Sequence, residues 1–260
     1  MSNDKTIVAK YSSVCCECGL KISKGANVLY NSEIKKIRCL THTIENSYGK
    51  AGKSAREKSN KIEAKRKERI ESIPFIGKML YPILDPSIEA QMWEKGAKGE
   101  EKIGKILDDL ATQNGFVSIH DRKIPNSKAN IDHMLVTPKG VFVIDAKNYT
   151  GMVELRKKGN WFLPGNDILY VNGRNQHKLV SLLAWQVGVV KENLQSDSTD
   201  VVGILAFTQG DWPWVGKPKV VEGVYLNSRG ISNVINSYKS TDYTDVDQIA
   251  RKILNVFKAK

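Results

Sequence analysis

Two short apolar segments joined by a tight turn are the feature that most constrains the fold of this chain. Residues 131–137 and 141–147 are rich in β-branched and large apolar side chains, and the tripeptide Pro-Lys-Gly at 138–140 separates them. Proline and glycine at such a junction are typical of turns, and apolar segments of this length are typical of strands. The sequence therefore predicts a β-hairpin in which Thr137 lies opposite Gly140.

Each strand of this hairpin carries an aspartate, and both aspartates are predicted to lie at the same level. Side chains alternate between the two faces of a strand, so Asp145 and Lys147 share one face. Counting back from the turn places Asp132 opposite Asp145, with Cβ atoms about 5 Å apart. A bulge at Gly140 would shift this register by one residue. Two unbridged aspartates at that distance repel each other, which favours a bound cation or a raised pKa.

A carboxylate on a predicted helix further upstream is expected to point at the same sheet. The helix covers residues 98–112, with apolar residues at helical spacing at Ile103, Ile106, Leu107 and Leu110. This apolar stripe passes close to Glu100, whereas Glu101 lies nearly opposite to it. Glu100 is therefore predicted to face the sheet and Glu101 the solvent. A carboxylate on an inward face needs a partner, which a metal ion or a lysine would supply.

The four side chains of Glu100, Asp132, Asp145 and Lys147 form a pattern that suits metal-assisted hydrolysis. Asp132 and Asp145 are predicted to bind Mg²⁺ or Mn²⁺, with Glu100 as a direct or water-mediated ligand. Lys147 is expected to orient the nucleophile or to stabilise the developing negative charge. The Asp-x-Lys spacing alone is frequent by chance, so the interpretation depends on Glu100 and Asp132 as well.

Three stretches together resemble a known family of proteins. The stretches are GAKGEEKIGKIL, ANIDHMLVTPKGVFVIDAKNYTG and RNQHKLVSLL. They resemble the nuclease-related domain (NERD), a branch of the PD-(D/E)xK nuclease superfamily, over roughly residues 95–225. The strongest part of the resemblance is the block IDH…GVFVIDAKNYTG. Here Ile-Asp replaces the Pro-Asp of the superfamily, as is usual for this branch.

The resemblance implies a fold, an activity and a set of residues. It implies a restriction-endonuclease-like αβββαβ core and metal-dependent cleavage of DNA. The acidic positions of the family fall on Glu100, Asp132 and Asp145, its lysine on Lys147, and the glutamine of its following helix on Gln176. Gln176 is expected to position the lysine or a phosphate, or else to be a polar residue at the start of a helix.

The remaining pattern from residue 90 to residue 260 is that of an α/β domain. The predicted strands are near 116–119, 152–156, 160–163, 201–208 and 220–226, and the predicted helices are near 176–194, 230–238 and 244–258. Residues 90–260 are therefore predicted to be the nuclease domain of the chain.

All four cysteines lie within residues 1–46, which are predicted to form a small zinc-finger-like module. The pairs Cys15-x₂-Cys18 and Cys39-x₂-His42 have the spacing of ligands for tetrahedral Zn²⁺. Cys16 is surplus and is able to substitute for Cys15. The alternatives are a redox pair at Cys15 and Cys18, or unrelated buried thiols. A filled zinc site is structural, and the module is expected to bind DNA, to dock a protein partner, or only to stabilise itself.

Residues 47–89 are predicted to be a basic helical linker followed by a proline-punctuated apolar connector. Residues 50–69 contain nine lysines and arginines but only three glutamates. The stretch is interpreted either as a solvated helix or as a helix that contacts a phosphate backbone. A further interpretation makes residues 50–84 an anchor at a membrane surface.

The overall charge favours a polyanionic partner. The formal net charge is +12, which is typical of proteins that bind nucleic acid or an acidic membrane surface. No transmembrane segment and no secretory signal are predicted, so the expected location is the cytoplasm. The sequence therefore predicts a Mg²⁺- or Mn²⁺-dependent nuclease that hydrolyses DNA. The alternative is a non-catalytic nucleic-acid-binding or interaction protein that retains the nuclease fold.

Overall fold

The chain divides into two units, Met1–Gly49 and Lys50–Lys260. The computed structural model describes residues 4–14, 16, 21–22, 24–39, 48–72, 86–157, 166–195, 199–211, 219–227, 230–240 and 242–260. The predicted zinc ligands Cys15, Cys18 and His42 lie outside the described residues, and so does the side chain of Cys39. Most of the apolar connector also lies outside them.

The first unit is built from short antiparallel strands. Strands β1 (Asp4–Val8), β4 (Asn27–Asn31) and β5 (Lys36–Cys39) form a sheet in the order β1-β4-β5, and β2 (Ser13–Val14) pairs with β3 (Lys21–Ile22). The described apolar cluster of this unit has three buried members, Ala9, Ile22 and Val28. So small a cluster contributes little hydrophobic stabilisation.

The second unit contains one large mixed sheet. Its strands within the described residues are β6 (Val117–Lys123), β7 (Asn130–Thr137), β8 (Gly140–Lys157), β9 (Asp167–Val171), β10 (Arg174–Asn175), β11 (Val201–Asp211), β12 (Lys219–Val221) and β13 (Val224–Asn227). They run in the order β6-β7-β8-β11-β13-β12, and β9 with β10 extends the second half of β8. Strand β11 is parallel to β8 and to β13, and the other pairs are antiparallel.

The predicted hairpin is confirmed, with the predicted register. Thr137 pairs with Gly140 and the ladder continues to His133 opposite Ile144, so Asp132 and Asp145 occupy the next level. Gly140 has a φ of 126°, and a Cβ atom at this position would lie 2.4 Å from the carbonyl oxygen of Asp200. The turn therefore requires glycine, and no bulge shifts the two aspartates apart.

Strand β8 is longer than the sequence pattern predicts. A separate strand was expected near residues 152–156, but these residues continue the strand that carries Asp145. Gly151 has a φ of 91°, so the irregularity read as a break is a glycine within one strand. The strand expected near 160–163 lies outside the described residues.

Five helices are described in this unit. They are α1 (Lys53–Glu71), α2 (Ile88–Asn114), α3 (Lys178–Leu194), α4 (Ile231–Ser237) and α5 (Val246–Val256). Helix α2 begins ten residues before the predicted start, because the Ser87 side chain accepts a hydrogen bond from the Ala90 N–H at its N-terminus. No helix in the described part of the chain is long and apolar enough to cross a lipid bilayer.

One face of the sheet holds a large apolar core. Phe142, Ile144 and Ala146 of β8 pack with Ile103 and Leu107 of α2, as the alternation along the strand predicts. Helix α4 covers the same face. The element order α2-β6-β7-β8-α3-β11 is α-β-β-β-α-β, with β9 and β10 inserted before α3. Asp145 and Lys147 consequently lie on the opposite face from this core.

Candidate active site

The two hairpin aspartates are in direct contact. A side-chain hydrogen bond between Asp132 and Asp145 helps to raise the pKa of Asp132. Burial raises the pKa of Asp132 well above its usual value, and the charges of Asp145 and Glu100 raise it further. Lys147 opposes this shift only partly. The hairpin therefore holds its two carboxyl groups where one negative charge is favoured over two.

Lys147 lies against these aspartates. Its ammonium group forms an ion pair with Asp145, and the lysine side chain is 22% exposed. Burial alone would lower the pKa of Lys147, but the charges of Asp145 and Asp132 outweigh burial and raise it above its usual value. Lys147 is therefore a fixed positive charge, which suits stabilisation of negative charge and does not suit proton abstraction.

Glu100 reaches the same cluster from helix α2. Burial raises the pKa of Glu100 to about 7, with contributions from the charges of Asp121 and Asp145. Lys147 and a hydrogen bond from the backbone N–H of Gly52 act in the opposite direction. The helical stripe correctly predicted that Glu100 faces inward. Glu101 does not simply face solvent, because it forms an ion pair with Arg56 of α1.

A further carboxylate, which the sequence pattern did not single out, belongs to this cluster. The pairs His120 with His133 and Arg122 with Ile131 bracket Asp121, which places it level with Asp132 on the neighbouring strand. Its Oδ2 accepts a hydrogen bond of 2.8 Å from the Ser54 N–H. Asp121 has a φ of 51°, a conformation that aspartate tolerates better than most residues.

Gln176 lies in a pocket beside the cluster. It precedes helix α3 and lines this pocket together with Lys95, Tyr149, Thr150, Val171, Asn172 and Arg174. Tyr149 follows Lys147 by two residues on β8 and lines this pocket, so the pocket adjoins the cluster. The structure thus gathers Glu100, Asp132, Asp145 and Lys147, and it places Gln176 on the adjoining surface.

Comparison with known proteins identifies the segment that contains this cluster. Residues 95–208 match the family model of the nuclease-related domain. No curated protein and no solved structure matches the chain. The resemblance predicted from the motifs is confirmed over these residues, which run from within α2 to within β11. The nuclease-related domain indicates a nuclease-related function and an interaction with nucleic acid.

The donor atoms of the cluster are those that Mg²⁺ and Mn²⁺ prefer. The carboxylates of Glu100, Asp132 and Asp145 provide hard oxygen donors. Their mutual repulsion helps to raise the pKa values of Glu100 and Asp132, and a divalent cation would relieve it. Within the described residues, no three side chains of histidine, cysteine, aspartate or glutamate are arranged closely enough to hold a metal ion. The magnesium site in the second unit and the zinc site of the first unit both stay predictions.

Two histidines on the face of β6 and β7 opposite to Asp132 form a buried network. The Nδ1 atoms of His120 and His133 lie 2.9 Å apart, and His120 Nε2 lies 2.9 Å from Asp108. Burial lowers the pKa of His133 well below its usual value, and His120 adds to this shift. His133 is therefore a neutral core residue. The pairing with His120 followed only from the register of β6 and β7.

Proposed function

We propose that the second unit is a metal-dependent nuclease that hydrolyses phosphodiester bonds of DNA. The observation that carries the proposal is the gathering of a helix carboxylate, two strand aspartates and a lysine inside a segment that matches the nuclease-related domain. The αβββαβ order of the elements supports a restriction-endonuclease-like core of the PD-(D/E)xK type.

The proposed roles follow from the charge and position of each side chain. Asp132 and Asp145 would hold Mg²⁺ or Mn²⁺, with Glu100 as a direct or water-mediated ligand. When bound, the metal supplies a more acidic water molecule and a positive charge for the phosphate. Lys147, which stays protonated, stabilises negative charge on the reacting phosphate.

The pocket beside the cluster offers a path for the nucleic acid. Lys95 and Arg174 are exposed cations that line it together with Tyr149 and Gln176. Cationic and amide side chains are the groups that most often contact the phosphates of a nucleic acid. Gln176 therefore acts on the substrate backbone in this proposal.

Cleavage assays with two site variants test the proposed function. Asp145→Asn and Lys147→Met remove one charge each from the cluster, and each is expected to lower the rate of DNA cleavage about 100-fold or more. Binding to DNA should be retained, because neither side chain lines the pocket. Rates in Mg²⁺ and Mn²⁺ and binding by fluorescence anisotropy are the measurements.

Matched surface variants provide the control for these assays. Asp109→Asn and Lys105→Met make the same chemical changes at exposed positions of helix α2 and should leave cleavage unchanged. Wild-type protein that binds DNA but cleaves neither circular nor linear substrates with either metal would contradict the proposal. That result would favour the alternative, a non-catalytic nucleic-acid-binding protein with the same fold.

We also propose that the first unit binds structural zinc through Cys15, Cys18, Cys39 and His42. The supporting observation is the small apolar cluster among the described residues of this unit, since a core of that size usually needs a metal or disulfides for stability. The module then offers a surface for DNA or for a protein partner. Zinc analysis of the purified chain tests this, and a chain without zinc that keeps the first unit folded would contradict it.

A further inference from the structure

The first turn of helix α1 meets the acidic cluster from outside the matched segment. The backbone N–H of Gly52 donates a hydrogen bond to the carboxylate of Glu100. The backbone N–H of Ser54 donates a hydrogen bond of 2.8 Å to Asp121. Both carboxylates thus lie at the positive end of the α1 dipole, which favours their ionised forms.

Close packing of the two helices fixes this arrangement. Gly52 has a φ of 72°, and a Cβ atom there would lie 2.7 Å from the carbonyl oxygen of Ala97. On the other helix, a Cβ atom at Gly104 would lie 2.3 Å from the Cβ of Ala51. Glycines at both positions allow the backbones to approach, and larger residues would separate the turn from Glu100.

Arg56 holds the same turn against helix α2. Its Nη1 donates to Glu94 at 2.9 Å, and its Nε and Nη2 donate to Glu101 at 2.9 and 2.5 Å. Glu94 and Glu101 flank Glu100 along the helix. One turn further along α1, the Ser59 hydroxyl donates to the Ala90 carbonyl at 2.9 Å. Helix α1 is therefore anchored to α2 over the two turns that follow Gly52.

We propose that residues 51–56, the N-cap segment and first turn of α1, are a positioning element for Glu100 in the proposed nuclease site. It lies upstream of the family-matched residues 95–208, so the site depends on chain outside the match. The need for it is electrostatic, because Glu100 faces the negative charges of Asp121 and Asp145. Without the backbone donors, the Glu100 carboxylate would turn towards solvent and away from the cation. The inference rests on the proposed function.

Point variants of the full chain test the proposal through metal affinity. Gly52→Ala and Arg56→Ala are each expected to raise the dissociation constant for Mn²⁺, measured by calorimetry, by about tenfold and to slow DNA cleavage similarly. Arg56→Lys should recover part of the loss, because it keeps a cation between Glu94 and Glu101. Arg66→Ala is the matched control, since Arg66 pairs with Glu63 further along the same helix. It should change Mn²⁺ affinity by less than about twofold.

Amide hydrogen exchange of the metal-free chain tests the contact itself. The Gly52 and Ser54 amides should exchange slowly in the wild type, and about tenfold faster in Glu100→Ala and Asp121→Ala, respectively. Rapid exchange of both amides in the wild type overturns the proposal. The proposal is also overturned if the wild type is active and the Gly52→Ala and Arg56→Ala variants bind Mn²⁺ and cleave DNA as it does. A wild type that neither binds Mn²⁺ nor cleaves overturns the proposed function, and the positioning role with it.

Discussion

Buried carboxylates in the acidic cluster make the stability of the folded state depend on pH. Glu100 and Asp132 both have raised pKa values because burial and neighbouring carboxylates disfavour their charged forms. His133 behaves in the opposite sense, since burial lowers its pKa and keeps it neutral. The two effects act in opposite directions as the pH rises, so a single pH profile of stability does not separate them.

A comparison of the wild type with Glu100→Gln isolates the contribution of Glu100. The pKa of Glu100 rises from 4.5 to about 7 on folding, so the folded state binds the proton more tightly. Protonated Glu100 therefore stabilises the folded state fully below pH 4.5, and this contribution is lost as the pH rises to about 7. Relative to Glu100→Gln, the unfolding free energy of the wild type should fall by up to about 1.4 kcal/mol per pH unit in this window.

The measurement is urea denaturation in metal-chelated buffer at several pH values. The contribution of His133 is common to both proteins and cancels in the difference. Loss of the Glu100 charge also lowers the pKa of Asp132, which acts in the same direction. A difference that stays constant from pH 4.5 to 7 would contradict the raised pKa.

The sequence predicted most of this cluster because its residues obey simple periodicities. Strand alternation and the turn at Gly140 predicted that Asp132 lies opposite Asp145, and the helical stripe predicted that Glu100 faces the sheet. Asp121 was missed because no motif marks it and its φ of 51° departs from regular strand geometry. The contact of Gly52 with Glu100 was missed because a backbone donor leaves no side-chain pattern in a sequence.

At the level of elements, strand β8 connects the site to the pocket through Gly151. A Cβ atom at Gly151 would lie 1.9 Å from Oδ1 of Asn172. That oxygen accepts a hydrogen bond from the Met152 N–H, and the Asn172 amide donates to the Thr150 carbonyl. Asn172 thus bridges the strand on both sides of the glycine, and it lines the same pocket as Gln176.

Gly151→Ala is expected to lower the unfolding free energy by about 2–3 kcal/mol, through backbone strain and loss of the Asn172 contacts. Gly173→Ala is the control, because Gly173 also has a positive φ of 71° but its nearest neighbour is a flexible arginine atom at 4.0 Å. Gly173→Ala should lower the unfolding free energy only through backbone strain, by about 1 kcal/mol. Equal costs in urea denaturation would contradict the role of Asn172. In an Asn172→Ala background, the cost of Gly151→Ala should shrink towards that of Gly173→Ala.

The sequence predicted helix α1 but not its packing against α2. The helix itself was predicted, and its lack of an apolar stripe suggested a helix surrounded by solvent or lying on phosphates. In the structure it packs on α2, with Ala55 and Ser59 buried and Arg56 paired with two glutamates. This contact depends on small and charged side chains, so hydrophobic periodicity gives no sign of it.

For the whole molecule, the net charge of +12 predicts binding to nucleic acid without locating it. Every exposed lysine and arginine adds to the general attraction, so affinity at a single salt concentration does not identify the substrate path. The salt dependence is more informative, because each phosphate contact releases counterions. The logarithm of the binding constant for duplex DNA falls against the logarithm of salt concentration with a slope of about −0.9 per contact.

The pocket beside the cluster should account for a defined part of that slope. In an Asp145→Asn background without divalent metal, Lys95→Gln and Arg174→Gln are each expected to make the slope shallower by about 0.9. Lys105→Gln removes the same charge from an exposed position on α2 outside the pocket and should change the slope by less than half as much. The double variant Lys95→Gln with Arg174→Gln should show the sum, because two separate phosphates are engaged. Equal changes in the Lys95, Arg174 and Lys105 variants would mean that DNA is held by diffuse charge, and the pocket would lose its role as the substrate path.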